Sequence, residues 1–325
     1  MVNARSVTGA ERVLCAPSVL RALRCSVCGA AFDVAGRSLR CATGHSFDIA
    51  KQGYVNLLHA KVPSGTADTT EMVAARAAFL DAGHYAPLAA AVARAASSGA
   101  LSARVTPYSA RVTPYSARVT PSEDASPTFR DPAPRSLPGL VVDAGAGTGY
   151  YLAATLDALP DATGLALDLS AAACRRAARA HPRAAAAVWN TWEPLPLANG
   201  CVSVVLDVFA PRNAAEFRRV LRADGVLVVV TPTSSHLAEL GEYTLDVDPA
   251  KEQRLAEGLS RHFDRVGVED VSYPLALSAA EARTLIEMGP TAHHLSPGAL
   301  DALPETVRVT VSCTVGTYRP RGEVA

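Results

Sequence analysis

The feature that most constrains the fold is an apolar segment that runs directly into a glycine-rich turn. Residues 140–149 read LVVDAGAGTG, which predicts a buried strand that ends at Asp143. Gly145 and Gly147 allow the backbone to turn sharply and to approach a bound ligand closely. The helix expected next would present free N–H groups at the same point. The segment therefore predicts a strand, a ligand-binding turn and a helix.

Further strands and helices alternate after this unit. Apolar runs predict strands, and segments rich in Ala and Arg predict helices between them. Such alternation indicates an α/β fold with a Rossmann-like, doubly wound and mostly parallel sheet. The predicted strands are ATGLALDLS, CVSVVLDVFA, GVLVVVTP, VGVEDVSYPLAL and VRVTVSCTVGTY, and two of the predicted helices are AAACRRAARAH and AAEFRRVLRA.

The ligand at the turn is predicted to contain adenosine. Asp168 ends the second strand, 23 residues after Gly145, where a carboxylate can accept both ribose hydroxyls. That geometry serves NAD and S-adenosylmethionine alike, but the dinucleotide pattern GxGxxG needs glycine where the chain has Tyr150. The observed D-x-G-x-G-x-G, which ends at Gly149, resembles motif I of class I S-adenosylmethionine-dependent methyltransferases. Asn190, after the third strand, is placed to bond the adenine, although methyltransferases often carry Asp there. Turn capping is the structural alternative for the two acids.

Three cysteines and a histidine near the N-terminus have the spacing of a metal site. Cys25, Cys28, Cys41 and His45 form C-x2-C-x12-C-x3-H. Two such pairs can hold one tetrahedral zinc ion, and four protein ligands make the site structural. A segment of this size has little core, and zinc can supply ~10–16 kcal/mol of folding energy in small modules. Ordinary core cysteines are one alternative. A CxxC redox pair, the other, leaves the third Cys and the His unexplained.

Composition shifts divide the chain into five predicted segments. A repeat, SARVTPY, begins at residue 102, recurs at 109 and recurs in most part at 116. Its prolines would break a helix, which excludes a coiled coil and favours an extended or flexible linker. The segments are an extension at 1–20, a zinc ribbon at 21–65, connecting helices at 66–97, a Pro-rich linker at 98–138 and the α/β domain at 139–325.

Charge and hydropathy limit where the protein is expected to be located and which partners it is expected to bind. No apolar stretch is long enough for a membrane helix, and the N-terminus lacks a signal pattern, so we expect a cytoplasmic protein without a membrane partner. The net charge of +0 argues weakly against a nucleic-acid partner. However, residues 1–142 hold 15 Lys/Arg and 9 Asp/Glu, whereas residues 143–325 hold 16 and 22. The basic first part could meet phosphate, with chance asymmetry as the alternative.

Taken together, these motifs resemble a known family, the 23S rRNA (guanine-N1)-methyltransferases, over roughly residues 21–320. Within it, VFAPRN and RRAARAHPRA are similar to the actinomycete branch that confers tylosin or mycinamicin resistance. The segments that carry the resemblance are CSVCG at 25–29, RCATGHSFDIAKQGYVNLL at 40–58, DTTEMVAARAAFLDAGHYAPL at 68–88, DAGAGTGYYL at 143–152 and FAPRN at 209–213.

The resemblance implies a homodimer that grips a hairpin in domain II of 23S rRNA and methylates a guanine with S-adenosylmethionine. It also implies zinc on Cys25, Cys28, Cys41 and His45. Methylation there would block macrolides in the peptide exit tunnel and give antibiotic resistance. Two features depart from the family pattern: Asn190 stands where the family often carries Asp, and the repeat-bearing linker is long for the family.

Catalysis would consist mainly of positioning guanine N1 against the methyl group and removing the N1 proton. Asp207, at the end of the fourth strand, is a candidate base, although the family does not consistently have an acid there. Phe209 is a candidate for stacking on a flipped or loop guanine, or else a core residue. Arg212 could contact phosphate or the guanine carbonyl, or be solvated. Candidates for RNA backbone contact are Lys51, Arg76, Arg21 and Arg24.

Two other functions remain open from the sequence. A small-molecule methyltransferase would bind the cofactor and have no RNA affinity. A non-catalytic zinc-ribbon RNA-binding protein would have lost cofactor binding, against which the intact Asp143 and Asp168 argue. Salt-sensitive affinity for a domain II hairpin would distinguish rRNA methylation from the small-molecule alternative.

Overall fold

A computed structural model describes residues 13–59, 67–102, 139–243, 257–289, 291–292 and 298–322. Residues 1–12 of the predicted extension and residues 103–138 of the predicted linker lie outside these ranges. Within them, no helix is long and apolar enough to cross a membrane.

Two sheets organise the chain. Three short strands near the N-terminus pair antiparallel in the order β1-β2-β3. They are β1 Phe32–Ala35, β2 Ser38–Cys41 and β3 Ser46–Asp48. The remaining eight strands form one large sheet: β4 Tyr54–Asn56, β5 Leu140–Ala144, β6 Thr163–Asp168, β7 Ala184–Val188, β8 Val202–Val208, β9 Leu221–Pro232, β10 Phe263–Ser278 and β11 Thr306–Pro320.

The large sheet has the order β10-β11-β9-β8-β5-β6-β7-β4. Strands β4 to β9 run parallel to one another, and β11 pairs antiparallel with both β9 and β10. A parallel sheet with one antiparallel strand, here β11 between β9 and β10, is the class I methyltransferase arrangement, so the predicted α/β fold is confirmed. The strand order reverses at β5, and in open α/β sheets ligands bind outside the carboxyl ends of the strands at such a switch point.

Seven described α-helices connect or cover the strands. The prediction of two helices after the ribbon agrees with α2 and α3. Thr69 caps α2 by accepting a hydrogen bond from the Met72 N–H at 3.2 Å. The helices are α1 Pro17–Ala22, α2 Thr70–Asp81, α3 Ala86–Ser102, α4 Tyr150–Ala158, α5 Ala171–Ala180, α6 Ala214–Val220 and α7 Ala279–Glu287.

Helix α3 is longer than predicted and belongs to the sheet's helical layer. It continues to Ser102, into the segment predicted as linker from residue 98. A Cβ on Gly99 would lie 2.6 Å from a methyl of Val226, so only glycine lets the helix approach β9 this closely. Arg319 donates a hydrogen bond to the Gly99 carbonyl at 2.5 Å. These contacts hold the end of α3 on the sheet, which the polar sequence SSGALS did not indicate.

Two apolar clusters cover the two faces of the large sheet. On one face, helices α3, α4, α5 and α7 pack against β5, β8, β9 and β11. On the other face, α1, α6 and the first sheet pack against residues of β5, β6, β7, β8 and β9. The second cluster therefore contains residues of the predicted ribbon together with residues of the predicted α/β domain.

The ribbon segment is joined to the large sheet through its backbone. Strand β4 pairs parallel with β7 and forms the edge of the large sheet. Leu23 forms an isolated antiparallel bridge with Leu197, and the Arg24 N–H donates to the Pro196 carbonyl at 2.8 Å. Leu39, buried in the first sheet, lies in the same apolar cluster. The division at residue 65 stays a prediction, and the observed packing gives this segment no apolar cluster of its own.

Candidate functional site

Four metal-ligand side chains converge beside the three-stranded sheet. The Sγ atoms of Cys25, Cys28 and Cys41 and a ring nitrogen of His45 all lie within 4.8 Å of one another. Cys28 Sγ and Cys41 Sγ are 3.7 Å apart, and Cys41 Sγ and His45 Nδ1 are 3.4 Å apart. Zinc–sulfur bonds of about 2.3 Å place two tetrahedral ligands at about this separation. The donor set and its spacing fit one structural zinc ion.

Two tight turns bring the ligands together. The Gly29 N–H donates to the Cys25 carbonyl at 2.8 Å, and the Gly44 N–H donates to the Cys41 carbonyl at 3.0 Å. Both glycines have a positive φ, +73° and +92°. Glycine adopts this conformation without the Cβ penalty, so the turns fold as the spacing predicted.

A threonine that sequence reasoning missed prepares the thiols for a cation. The Thr43 hydroxyl lies 3.0 Å from Cys28 Sγ and 3.1 Å from Cys41 Sγ. It is the main cause of the lowered pKa of Cys28 and of the pKa of Cys41, which falls to about 6. Hydrogen bonds with Cys28 and Cys41 raise the pKa of His45. Burial raises the pKa of Cys25. Thiolates are the metal-binding form of cysteine, so the lowered pKa values of Cys28 and Cys41 favour zinc at those two ligands.

The second site is at the carboxyl ends of β5 and β6. The N–H groups of Gly145 and Ala146 donate to the Leu167 carbonyl at 2.8 and 3.0 Å, which folds the turn against β6. Asp168 accepts from the Gly147 N–H and from the Ser170 N–H, both at 2.8 Å. The carboxylate predicted for ribose thus also fixes the glycine-rich turn. Burial raises its pKa.

Two cavities meet at this turn. The outer cavity, of about 480 Å³, is lined by Asp168, Asn190 and Trp192 among others. The inner cavity, of about 290 Å³, is lined by Asp143, Tyr85, Tyr151 and His236 among others. The residues that line both cavities are Arg76, Gly145 and Phe209. One elongated ligand could therefore occupy the outer cavity and extend past Gly145 into the inner one.

The chemistry of these walls fits S-adenosylmethionine. Asp143 is buried, and its Oδ2 has no hydrogen-bond partner among the described residues. Burial raises the pKa of this carboxyl to about 7. A cationic amino group in the inner cavity would supply the missing partner. A Cβ on Gly145 would lie 2.6 Å from the Cβ of Ala210, so a side chain there would displace the wall between the cavities.

The other two predicted glycines have different neighbours. Gly147, at φ +53°, lies under Arg76, whose Nη1 would be 3.0 Å from an added Cβ. Gly149 caps α4 at φ +82°, and an added Cβ would lie 2.9 Å from the Cα of Ala177 in α5. Gly149 therefore allows two helices to pack closely, and it lines neither cavity.

The Asn190 loop carries an aromatic residue that sequence reasoning missed. Asn190 Oδ1 accepts from the Trp192 N–H at 3.2 Å, and 65% of Trp192 is exposed beside the outer cavity. Asn213 donates to the carbonyls of Thr191 and Trp192 at 3.3 and 3.1 Å, so the FAPRN segment holds this loop in place. The signal available in the sequence was a tryptophan two residues after Asn190, the predicted adenine contact.

Phe209 lies between the cavities in a strained conformation. Its φ is +55°, which is costly for a residue with a Cβ, and 42% of it is exposed. Its ring stacks on His236 with centroids 5.8 Å apart and lies 6.5 Å from the ring of Tyr85. Backbone strain of this kind is concentrated at functional sites. The stacking predicted for Phe209 stays a prediction, and the structure supplies two aromatic neighbours for it.

Sequence reasoning missed both neighbours. His236 Nδ1 accepts from the Ser312 N–H at 3.1 Å, and its Nε2 lies 3.4 Å from the Tyr85 hydroxyl. Burial lowers the pKa of His236 to about 4, so the imidazole is neutral at pH 7. Tyr85 is buried, and burial raises its pKa. Neither lies in a recognisable motif, so the sequence offered little signal.

Asp207 and Arg212 form a buried ion pair outside the two cavities. Asp207 is fully buried, lines neither cavity, and has its Oδ1 3.8 Å from the Nε of Arg212. Burial raises its pKa well above the ordinary value, an effect that Arg212 opposes. Only 10% of the Arg212 side chain is exposed. The predicted roles, a base for Asp207 and an RNA or guanine contact for Arg212, stay predictions, and this geometry does not favour them.

The four basic candidates for RNA contact differ in their surroundings. Arg76 pairs with Asp68 at 2.6 Å and donates to the Met288 carbonyl at 2.9 Å, so its guanidinium is already engaged. Arg24 donates to the carbonyls of Arg21 and Leu23, both at 2.8 Å. The Arg21 and Lys51 side chains are exposed and remain available.

Among known proteins, one family model matches the N-terminal part of the chain, and two relatives match nearly all of it. Residues 23–62 match the zinc-ribbon family described as RlmA, N-terminal. The chain is 51% identical to a Micromonospora griseorubida protein named as a 23S rRNA (guanine-N(1)-)-methyltransferase, over 94% of this chain and 99% of that one. It is 44% identical to the 23S rRNA (guanine(748)-N(1))-methyltransferase of Streptomyces fradiae, over 93% and 98%.

Among solved structures, MccD covers 56% of this chain and 90% of its own, with 13% identity and a TM-score of 0.39.

Proposed function

The chain belongs to the 23S rRNA (guanine-N(1)-)-methyltransferase family, and we propose that its target is a guanine in a hairpin of domain II of 23S rRNA. It is an S-adenosylmethionine-dependent methyltransferase with one structural zinc ion. The Streptomyces fradiae relative is named for guanine 748, and we propose the equivalent guanine for this chain.

One observation supports the base-binding part of this proposal: two cavities adjoin at Gly145 and Phe209. When bound, S-adenosylmethionine supplies an electrophilic methyl group. We propose that Asp168 and Asn190 hold its adenosine in the outer cavity and that Asp143 accepts its amino group. The methyl group would then lie near the wall shared with the inner cavity.

We propose that a flipped guanine occupies the aromatic side of the inner cavity. Phe209 is half-exposed, and the rings of His236 and Tyr85 lie behind it. Stacking between a base and an aromatic side chain contributes about 1–3 kcal/mol. Because His236 is neutral at pH 7, it adds no positive charge beside the sulfonium of the cofactor. We propose that Phe209 stacks on the target base and that His236 and Tyr85 fix the Phe209 ring.

The primary experiment combines labelled S-adenosylmethionine with 23S rRNA that lacks the modification, followed by primer extension. A methyl group on guanine N1 blocks base pairing, so reverse transcriptase is expected to stop next to one guanine in the domain II hairpin. The matched control is Asp143→Asn protein, which is expected to give a much weaker stop at a cofactor concentration that limits the reaction. Cofactor binding without label in the RNA would contradict rRNA methylation, and a stop outside domain II would contradict the proposed hairpin.

Resistance and assembly are separate proposals with separate tests. We propose that expression in a macrolide-sensitive strain raises the inhibitory concentration of tylosin or mycinamicin, and that Asp143→Asn reduces the rise. Unchanged sensitivity in a strain whose rRNA is fully methylated would remove the resistance role. We also propose a homodimer, for which light scattering should give twice the 33.8 kDa chain mass.

A further inference from the structure

A basic groove lies outside the two cavities described above. It has a volume of about 600 Å³ and is formed by α2, by the start of α4 and by α5. Arg175, Arg176 and Arg179 of α5 line it, with Asp81 of α2 as the single acid. Arg179 is four residues after Arg175 and three after Arg176, and side chains at these spacings are neighbours on a helix surface, so the three guanidinium groups form one patch.

These arginines are free to bind a ligand. All three are exposed, and none makes a hydrogen bond or ion pair with any residue that the structure describes. The neighbouring Arg183 differs, because it donates to the carbonyls of Leu156, Leu159 and Ala162 at the end of α4. One arginine of the run RRAARAHPRA therefore stabilises the fold, whereas the other three project into a groove.

The groove is adjacent to the proposed catalytic site. Helix α2 separates the two, since its Arg76 lines both cavities while Val73 and Ala77 line the groove. Helix α5 also contacts β4, the strand that leaves the ribbon. Small residues such as Ala74 and Ala153 leave the groove open. An extended anion could therefore cross α2 from the cavities and remain in contact with α5.

We propose that this groove binds the RNA sugar-phosphate backbone and positions the hairpin whose guanine enters the inner cavity. This inference rests on the proposed function for the identity of the polyanion. Arginine forms bidentate hydrogen bonds with phosphate, and backbone contacts orient a nucleic acid without reading its sequence. The groove is thus assigned a role in RNA affinity and in orienting the hairpin, and no role in choosing the target base.

The test compares two triple variants of the full chain. One carries Arg175→Gln, Arg176→Gln and Arg179→Gln. The matched control loses the same charge from exposed arginines elsewhere, through Arg261→Gln, Arg265→Gln and Arg308→Gln. Affinity for a domain II hairpin is measured against salt concentration, and affinity for S-adenosylmethionine is measured in parallel to show that each variant is folded.

The groove variant is expected to bind RNA about tenfold or more weakly, and its log–log salt slope should fall by about 2 to 3, because each lost phosphate contact removes about 0.7–0.9. The control variant should retain the wild-type slope. Replacing the three groove arginines with lysine should restore most of the slope, because the charges return. Cofactor affinity should not change in any variant.

Equal losses in both Gln variants, or no loss in either, would overturn the groove assignment. Calorimetry with inorganic phosphate tests a small ligand: binding that the groove variant loses, with RNA affinity unchanged, would assign the groove to free phosphate instead. Methylation by the wild-type protein is assayed alongside. If the wild-type protein methylates the rRNA while the groove variant behaves as the control does, only the groove assignment fails, whereas absent methylation refutes the proposed function.

Discussion

The zinc centre and the paired cavities differ in how their residues are brought together. All four zinc ligands and Thr43 come from one short segment between Cys25 and His45. The cavities are lined by residues from seven parts of the chain, among them Tyr85, Asp143 and His236. Local turns are sufficient to build the first site. The second exists only when the large sheet has formed.

The two regions also differ in what stabilises them. The three-stranded sheet packs in an apolar cluster that it shares with the large sheet, and we expect a bound metal to add folding energy to this packing. The cavities are surrounded by two apolar clusters that cover both faces of the large sheet. We therefore expect loss of the metal to unfold the ribbon, and loss of a cavity residue to impair binding without unfolding.

The largest effect is expected for Cys41→Ala. Removing one of four ligands should abolish stoichiometric zinc binding, since structural zinc contributes about 10–16 kcal/mol in small modules. Zinc content by mass spectrometry should fall from one ion per chain to nearly none, and rRNA methylation should fall at least about a hundredfold. The control Cys201→Ala removes a thiol outside the cluster and should retain both.

Cys41→Ala also tests whether the ribbon and the large sheet unfold independently. If the ribbon is independent, the calorimetric transition of the large sheet and the affinity for S-adenosylmethionine should remain. If β4 and the Leu23–Leu197 bridge couple the two, the melting temperature of the whole protein should fall together with zinc content. We expect coupling, because ribbon and sheet share one apolar cluster. Two separate transitions would contradict it.

The next effect is expected for Asp143→Asn. Hydrogen bonds to charged groups contribute about 1.5–3 kcal/mol, so the dissociation constant for S-adenosylmethionine should rise about 10- to 100-fold. The fold should persist, because the Oδ2 atom has no partner among the described residues to lose. Asp157→Asn, at an exposed position of α4, is the control and should bind as the wild type does.

Asp143 also predicts a pH dependence. Burial raises its pKa to about 7 in the free protein, whereas the cofactor's amino group favours the ionised carboxylate. Affinity for S-adenosylmethionine should therefore increase as pH rises through about 7 and fall again where the cofactor's amino group loses its proton, at about 8 for an ordinary α-amino group. Since the folded pKa exceeds the ordinary 3.8, this carboxyl makes the free protein less stable as pH rises from about 4 through 7. A flat binding profile in wild-type protein would contradict the assignment.

The same contrast explains what could be predicted from the sequence. Periodicity predicted the strands that place Asp143 and Asp168, and spacing predicted the zinc ligands, because both signals are local. Tyr85 and His236 lie 151 residues apart and meet only through the packing of α3 against β9 and β11. The contact between Asp207 and Arg212 was not predicted, because alternation does not show how deeply the end of a strand is buried.

A smaller effect is expected for Phe209→Ala. Loss of base stacking should lower kcat/KM for rRNA about tenfold or more, while Phe209→Tyr should retain most activity. Phe209→Gly is the informative partner, because glycine adopts a φ of +55° without strain. It should be as inactive as the Ala variant but about 1 kcal/mol more stable. Wild-type kcat/KM in the Ala variant would refute the stacking role.

The smallest effect is expected for Gly44→Ala, at φ +92° beside the zinc ligands. No atom lies within 4 Å of an added Cβ there, so the cost is backbone strain alone, about 1 kcal/mol, or about a fivefold loss of zinc affinity. Gly149→Ala has a similar φ but places its Cβ 2.9 Å from the Ala177 Cα, so overpacking should add about 1–3 kcal/mol to the cost in unfolding free energy. Chemical denaturation of both variants measures the difference. Equal costs would mean that α4 and α5 can separate freely, and the cavity region would then be less rigid than its packing indicates.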